Sequence, residues 1–174
     1  MKLTILSTLL FCAAFTCFAQ NTLTAENILS AAYAKANKEN KNVFVIFHAS
    51  WCGWCKKMDA SMEDATTKKY FDDSYVTVHL TVQESAANKN LENPRAAEFL
   101  KTFKGENAGL PFFVVLDKSK TVLGDSFING SNIGCPASEK EVAAFSMLLK
   151  NTSKINADGL QIIAARFKQN NVQQ

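Results

Sequence analysis

Apolar positions along the chain change their period several times, and each change marks an element. Ile28, Leu29, Ala32, Tyr33 and Ala36 recur at helical spacing behind Thr24-Ala25-Glu26-Asn27, with Lys35, Lys38 and Lys41 on the wet side, so a helix is expected there. Val43 to Phe47 is an unbroken apolar run rich in β-branched and aromatic residues, the pattern of a strand buried on both faces. From Gly53 the pattern turns helical again, with Cys55, Met58 and Met62 on one face. Val76, Val78, Leu80 and Val82 alternate with Thr77, His79 and Thr81, which predicts a second strand. The polar stretch from Gln83 to Asn93 reads as a loop. Asn93-Pro94 then reads as the cap and first turn of a helix carrying Ala97, Leu100 and Phe103 and ending near Gly105.

Phe112 to Leu116 predicts another buried strand. Asp117 to Lys120 is its turn, and Thr121-Val122-Leu123 begins an antiparallel partner. Ser138-Glu139-Lys140-Glu141 has the form of a capping box before Val142, Ala143, Phe145 and Leu148, and Leu160, Ile163, Ala164 and Phe167 mark a last helix. Alternating helices and strands followed by a hairpin imply an α/β fold, with a mixed central sheet covered by helices on both faces.

Length and composition fit this. The chain has 174 residues, 47% hydrophobic and 20% charged, enough for one domain with a sizeable core. The net charge of +3 is scattered rather than blocked, which argues against nucleic acid as a partner.

The first residues obey different rules. Lys2 is the only charge before Glu26, an apolar run extends from Leu3 to Phe18, and Cys17 and Ala19 place small residues before Gln20. That is the layout of a secretory signal peptide over residues 1–19, leaving 20–174 as the mature domain, periplasmic or secreted. A membrane anchor is the rival reading, but the run is shorter than the roughly 20 residues a spanning helix needs, so the mature form is expected not to span a membrane. A lipoprotein acylated at Cys12 or Cys17 is a third reading. Cleavage would reduce the five cysteines to Cys52, Cys55 and Cys135, too few and too odd a number for a disulfide-stapled scaffold.

The chemistry is concentrated in Trp51-Cys52-Gly53-Trp54-Cys55-Lys56. A cysteine at a strand-to-helix junction meets unpaired N–H groups and the positive end of the helix dipole, which favour its thiolate, the nucleophilic form. Lys56 and Lys57 add positive charge. Cys52 is expected to attack a substrate disulfide, and Cys55, more buried, to resolve the mixed disulfide. Gly53 is expected to ease the tight turn, and Trp51 and Trp54 offer flat surface for a docking chain. Half a zinc site is the alternative, with only Cys135, His48, His79 and carboxylates left to complete it, and no metal is expected on that spacing. A purely structural disulfide would remove little chain entropy across so short a loop. His48 reads either as a group that tunes Cys52 or as a packed strand-end residue. Cys135, in Gly134-Cys135-Pro136, reads either as a small buried hydrophobe or as a third redox thiol.

This segment after the run Val43 to Phe47 resembles the active-site segment of the thioredoxin superfamily. Gly109-Leu110-Pro111 before Phe112-Phe113-Val114-Val115 resembles its second motif, a cis-proline preceding a strand. In element order the likeness runs from about Ile28 to Leu149. Small exported thioredoxin-like proteins and the periplasmic domain of thiol:disulfide interchange reductases are the members it looks most like. The resemblance implies a thioredoxin-like three-layer α/β/α fold, here with an extra C-terminal helix. It also implies disulfide exchange with protein substrates without a bound cofactor, and a membrane-borne or soluble thiol redox partner. Pro111 would then be cis and face the cysteines, and Leu110 would offer backbone groups to an extended substrate strand. It tilts the direction toward reductase; a binding module that docks or traps extended chains without turnover is the alternative. Two positions depart from the pattern of cytosolic thioredoxins. Gly53-Trp54 stands where Gly-Pro is usual, and Ile46 stands where a buried aspartate is thought to help proton transfer to the resolving cysteine.

Overall fold

The run from Val43 to Phe47, every side chain of it fully buried, lies inside β1 (Asn42–His48), at the centre of the computed structural model, which describes residues 23–171. The signal-peptide reading of residues 1–19 lies outside the described residues. β1 pairs in parallel with β2 (Tyr75–Thr81) and antiparallel with β3 (Phe112–Leu116), and β3 pairs antiparallel with β4 (Val122–Asp125). The sheet is mixed, four-stranded and ordered β2-β1-β3-β4.

Its two faces carry separate cores, because successive side chains of a strand point to opposite sides. Val43, Val45, Phe47, Val76, Leu80, Phe112 and Val114 pack against α1 (Ala25–Glu39) and α4 (Ala96–Thr102). Phe44, Ile46, Phe113 and Val115 pack against α2 (Gly53–Met62), α3 (Lys68–Ser74), α5 (Glu139–Thr152) and α6 (Ala157–Lys168). The result is the three-layer α/β/α architecture, with α6 as the extra C-terminal helix. Thr24 caps α1 by accepting from the Asn27 N–H, and the capping box at Ser138 is complete.

Several details differ from the expectation. α4 starts at Ala96 and not at Pro94. Arg95 takes the cap position with a left-handed backbone, φ 69°, while the Asn93 side chain serves Thr81 N–H and Leu23 C=O instead. The buried face of α4 is therefore Ala96 and Leu100, flanked by Phe99 and Phe103, and Ala97 is exposed. On α5 the buried positions are Val142, Phe145, Leu149 and Thr152, and Ala143 is exposed. The loop 83–93 contains a 3-10 turn, Ala86–Leu91. Two small elements had no counterpart: α3, and a hairpin of β5 (Phe127–Ile128) and β6 (Ser131–Asn132) closed by Asn129-Gly130. Both turn residues have positive φ, 51° and 80°, which is the Asn-Gly hairpin signal.

In the antiparallel register, Phe47 of β1 lies opposite Phe112 of β3. The residues leaving β1 and the residues entering β3 therefore come to the same end of the sheet, where Leu110 packs against Ala49 and Cys52.

Candidate active site

Cys52 is the N-cap of α2 and Cys55 lies in its first turn. The two sulfurs are joined in a disulfide with the Cα atoms 5.3 Å apart. The turn is held by local bonds: Cys52 N–H donates to Ala49 C=O at 3.0 Å, and Lys56 N–H donates to Cys52 C=O at 3.3 Å. Cys55 N–H donates to Cys52 Sγ at 3.1 Å. That last contact places one of the free donors of a helix start directly on the sulfur, where a thiolate would gain most from it. The expected contrast in burial is nearly absent: Cys52 is 3% exposed and Cys55 2%. Asymmetry between them rests on position along the helix and not on depth.

The tryptophans stand out from this buried pair. Trp51 is 58% exposed and Trp54 40%. Trp51 is fixed by its indole N–H, which donates to Gln83 C=O at 2.9 Å. The Lys57 ammonium sits 4.3 Å from the centre of the Trp54 ring, a cation–π contact. Gly53 does not do what was expected of it. It opens α2 without positive φ, and a Cβ added there would meet nothing within 4 Å, so neither conformation nor space requires glycine.

The Leu110–Pro111 peptide bond is cis. Leu110 packs against Ala49, Cys52 and Cys55, which brings the second motif onto the first. Gly109, before it, has φ +80°, a conformation open to glycine at little cost. Asn132 clamps this bend: its amide donates to the carbonyls of Ala108, Gly109 and Pro111 at 3.0 to 3.1 Å. Among the described residues no hydrogen bond reaches the Leu110 backbone itself. A groove of about 230 Å³ runs from Trp54 past Leu110 to Asn132, Ile133 and Glu141.

Cys135 lines the inner side of that groove but is buried in the core layer, and its thiol accepts from the Asn170 amide at 3.3 Å. Burial pushes the thiol up to about 12, which leaves almost no thiolate near neutral pH. This is the behaviour of a small packed hydrophobe. Ile46 is fully buried beside Met58 on the α2 face of the sheet, so hydrocarbon fills the position of the usual aspartate. His48 bonds to the Thr81 hydroxyl at 3.1 Å, and its ring lies 5.0 Å from that of His79, which in turn meets Asp59 at 2.8 Å. Burial, then the neighbouring His79, holds His48 below the ordinary histidine value. Among the described residues it makes no hydrogen bond to either cysteine.

Sequence reasoning missed the supports: Asn132, Gln83, Ser50 and Glu84. Glu84 is 7% exposed and its carboxylate accepts from the Ser50 N–H at 2.5 Å and the Ser50 hydroxyl at 2.8 Å. Of these, only Asn132 lies next to a local pattern that could have revealed it, the unread Asn-Gly turn at 129–130.

Residues 24–118 match the family model described as thioredoxin-like. The chain belongs to the thioredoxin-like family. Among curated relatives, this thioredoxin-like chain is 41% identical over 78 residues to protein disulfide-isomerase A5 of Bos taurus, covering 42% of the chain and 15% of that protein. It is 38% identical over 79 residues to the Mus musculus counterpart, covering the same shares. The chain thus spans about 15% of the length of these curated relatives. Among solved structures, a disulphide isomerase from Xylella fastidiosa Temecula1 is similar at TM-score 0.48 and 17% identity, covering 81% of this chain and 86% of that one. The oxidised C-terminal domain of Neisseria meningitidis DsbD is similar at 0.42 and 23%, covering 63% and 87%. Thioredoxin-like family membership accounts for the joint occurrence of the Cys52–Cys55 pair and the cis-Pro111 bend.

Proposed function

We propose that this protein is a thiol–disulfide oxidoreductase acting on disulfides of protein substrates, running as a reductase in an exported compartment. The observation that carries the reading is the Cys52–Cys55 disulfide at the start of α2, against Leu110 of the cis-proline bend. In the reduced state the Cys52 thiolate, with the Cys55 N–H aimed at its sulfur, attacks one sulfur of a substrate disulfide. A Cys52–substrate bond forms, the substrate disulfide breaks, and the departing sulfur leaves as a thiolate that takes a proton from water. Cys55 then gives up its proton and its sulfur attacks Cys52 Sγ. The Cys52–Cys55 disulfide forms and the second substrate thiolate departs. The substrate has gained two electrons and the pair has lost two. A thiol-bearing redox partner must return them for the next cycle.

The free N–H and C=O of Leu110 suit an extended substrate segment laid along the bend, with Trp51 and Trp54 as flat walls. Water serves as the proton acceptor for Cys55 in this reading, because Ile46 has no base to offer. The reductive direction is favoured by the resemblance to interchange-reductase domains, and export by the charged, apolar, small-residue layout of residues 1–19.

Insulin reduction with dithiothreitol tests the assignment. The protein should accelerate precipitation of the insulin B chain catalytically. Cys55→Ser should reduce the rate to background and accumulate a mixed disulfide through Cys52, visible as a covalent adduct on non-reducing gels. Turnover by Cys55→Ser at the parent rate would overturn the two-cysteine mechanism. Stable adducts from the unaltered protein, without turnover, would point to the docking module instead.

A further inference from the structure

The loop after β2 is built around the loop that carries Cys52. Val82 N–H donates to His48 C=O, extending the β1–β2 ladder by one step. Gln83 then takes a left-handed backbone, φ 55°, and turns the chain across the site. Its carbonyl receives the Trp51 indole, and its side-chain amide donates to Glu106 C=O at 3.0 Å. Glu84 comes next. Its own N–H donates to Glu92 Oε1 at 2.8 Å, and Lys89 meets the same oxygen at 2.9 Å. These bonds leave the Glu84 carboxylate buried, with one oxygen on the Ser50 N–H and the other on the Ser50 hydroxyl.

A buried carboxylate is costly even when paired. Ser50 is exposed, so water would serve its two donors as well. What the glutamate supplies and water cannot is a fixed anchor and a negative charge on Ser50, which lies two residues before Cys52. We propose that Glu84 is a positioning residue for the exchange reaction: it holds the loop bearing Cys52, and its charge opposes the Cys52 thiolate, poising the pair toward reduction of substrates. This rests on the reading of Cys52 as the exchanging thiol.

The groups around the pair set the sign. The start of α2, Lys56 and Lys57 favour the thiolate; Glu84 disfavours it. His48, at the end of β1, is half-buried; burial and then His79 hold it below the ordinary histidine value, and the Asp59 carboxylate and, less, that of Glu84 oppose this. On the groove side Glu141 lines the same groove as Trp54 and Leu110, with its carboxylate accepting from the Ala137 and Ser138 N–H groups. A less stable thiolate makes the dithiol less stable relative to the disulfide, and a less stable dithiol is a better reductant.

Glu84→Gln keeps the shape and an acceptor for the Ser50 N–H while removing the charge. Ser50→Ala removes one hydrogen bond and keeps the charge. The Cys52 pKa is read from thiolate absorbance during titration of the reduced protein, and the Cys52–Cys55 equilibrium against glutathione is read on the oxidised and reduced protein. Cys135 does not interfere, since burial holds its thiol at about 12. Glu84→Gln should lower the Cys52 pKa by about one unit and shift the equilibrium toward the dithiol by up to tenfold, about 30 mV. Ser50→Ala should not lower that pKa. An unchanged pKa and equilibrium in Glu84→Gln would overturn the proposal, as would an equal downward shift in Ser50→Ala. Neither measurement needs turnover of a protein substrate, so failure here is separate from failure of the insulin assay.

Discussion

His48 ends β1 with its ring half-buried, bonded to Thr81 and facing His79 rather than the cysteines. Desolvation opposes a positive charge there, and the pKa lies below the ordinary 6.5. Proton counting gives the sign for stability. Between the depressed folded value and 6.5 the unfolded chain binds a proton that the folded chain refuses, so acid favours unfolding. The contribution of His48 is complete above about 6.5 and is lost as pH falls through the folded value. Urea unfolding at pH 7.5 and 5.5 should therefore show a smaller acid loss for His48→Gln than for the unaltered protein. Equal losses in both proteins would mean that the His48 ring titrates normally in the fold. The same burial logic separates the cysteines. Cys135 is packed among hydrocarbon and its thiol is pushed up, whereas Cys52 has a helix start aimed at its sulfur.

At the scale of elements, the glycines beside Cys52 and before Leu110 do different work. Gly53 begins α2 with open space around it and an ordinary backbone, so Gly53→Ala should leave stability within about 1 kcal/mol, with the helix preference of alanine in its favour. Gly109 turns the chain into the cis-proline bend at φ +80°, where a Cβ is strained even though no neighbour blocks it. Gly109→Ala should cost about 1 kcal/mol or more and lower insulin reduction, because Leu110 is carried on that turn. Thermal melts of the two variants side by side decide it, and an equally tolerated Gly109→Ala would contradict the account. The cysteine pair, the proline and the strands under them were legible because they are local patterns, readable from a few consecutive residues. Asn132 and Glu84 act at 21 and 34 residues' separation, through loops whose paths no periodicity encodes. The short helix α3 escaped for a related reason. It buries only Phe71 from a polar stretch, and its i,i+4 pairs Lys68–Asp72 and Lys69–Asp73 are surface features shared with many loops.

For the whole molecule, the continuous apolar run of β1 announced a strand covered on both sides, and the order of the other elements then left few ways to cover it. What the order did not convey is how the layer beneath α2 is filled. Phe145 of α5 sits at its centre, with ring centroids 5.0 Å from Phe167, 5.5 Å from Phe113, and 6.4 Å from both Phe44 and Phe71. It thereby ties α5 to α6, α3 and two strands at once. Ile46 and Met58, which support α2, belong to the same cluster. Phe145→Ala should cost about 3–5 kcal/mol, because the cavity opens between elements that are each pinned elsewhere and cannot close over it. α6, for one, is held to the loop after α2 by the Arg166–Asp64 pair at 2.9 Å. Met147, two residues on and 56% exposed, supplies the control: Met147→Ala should change stability by no more than about 0.5 kcal/mol. Denaturant midpoints of the two variants measure the difference. A cost for Phe145→Ala below about 1 kcal/mol would show that α5 and α6 are an appendage to the sheet rather than part of its core.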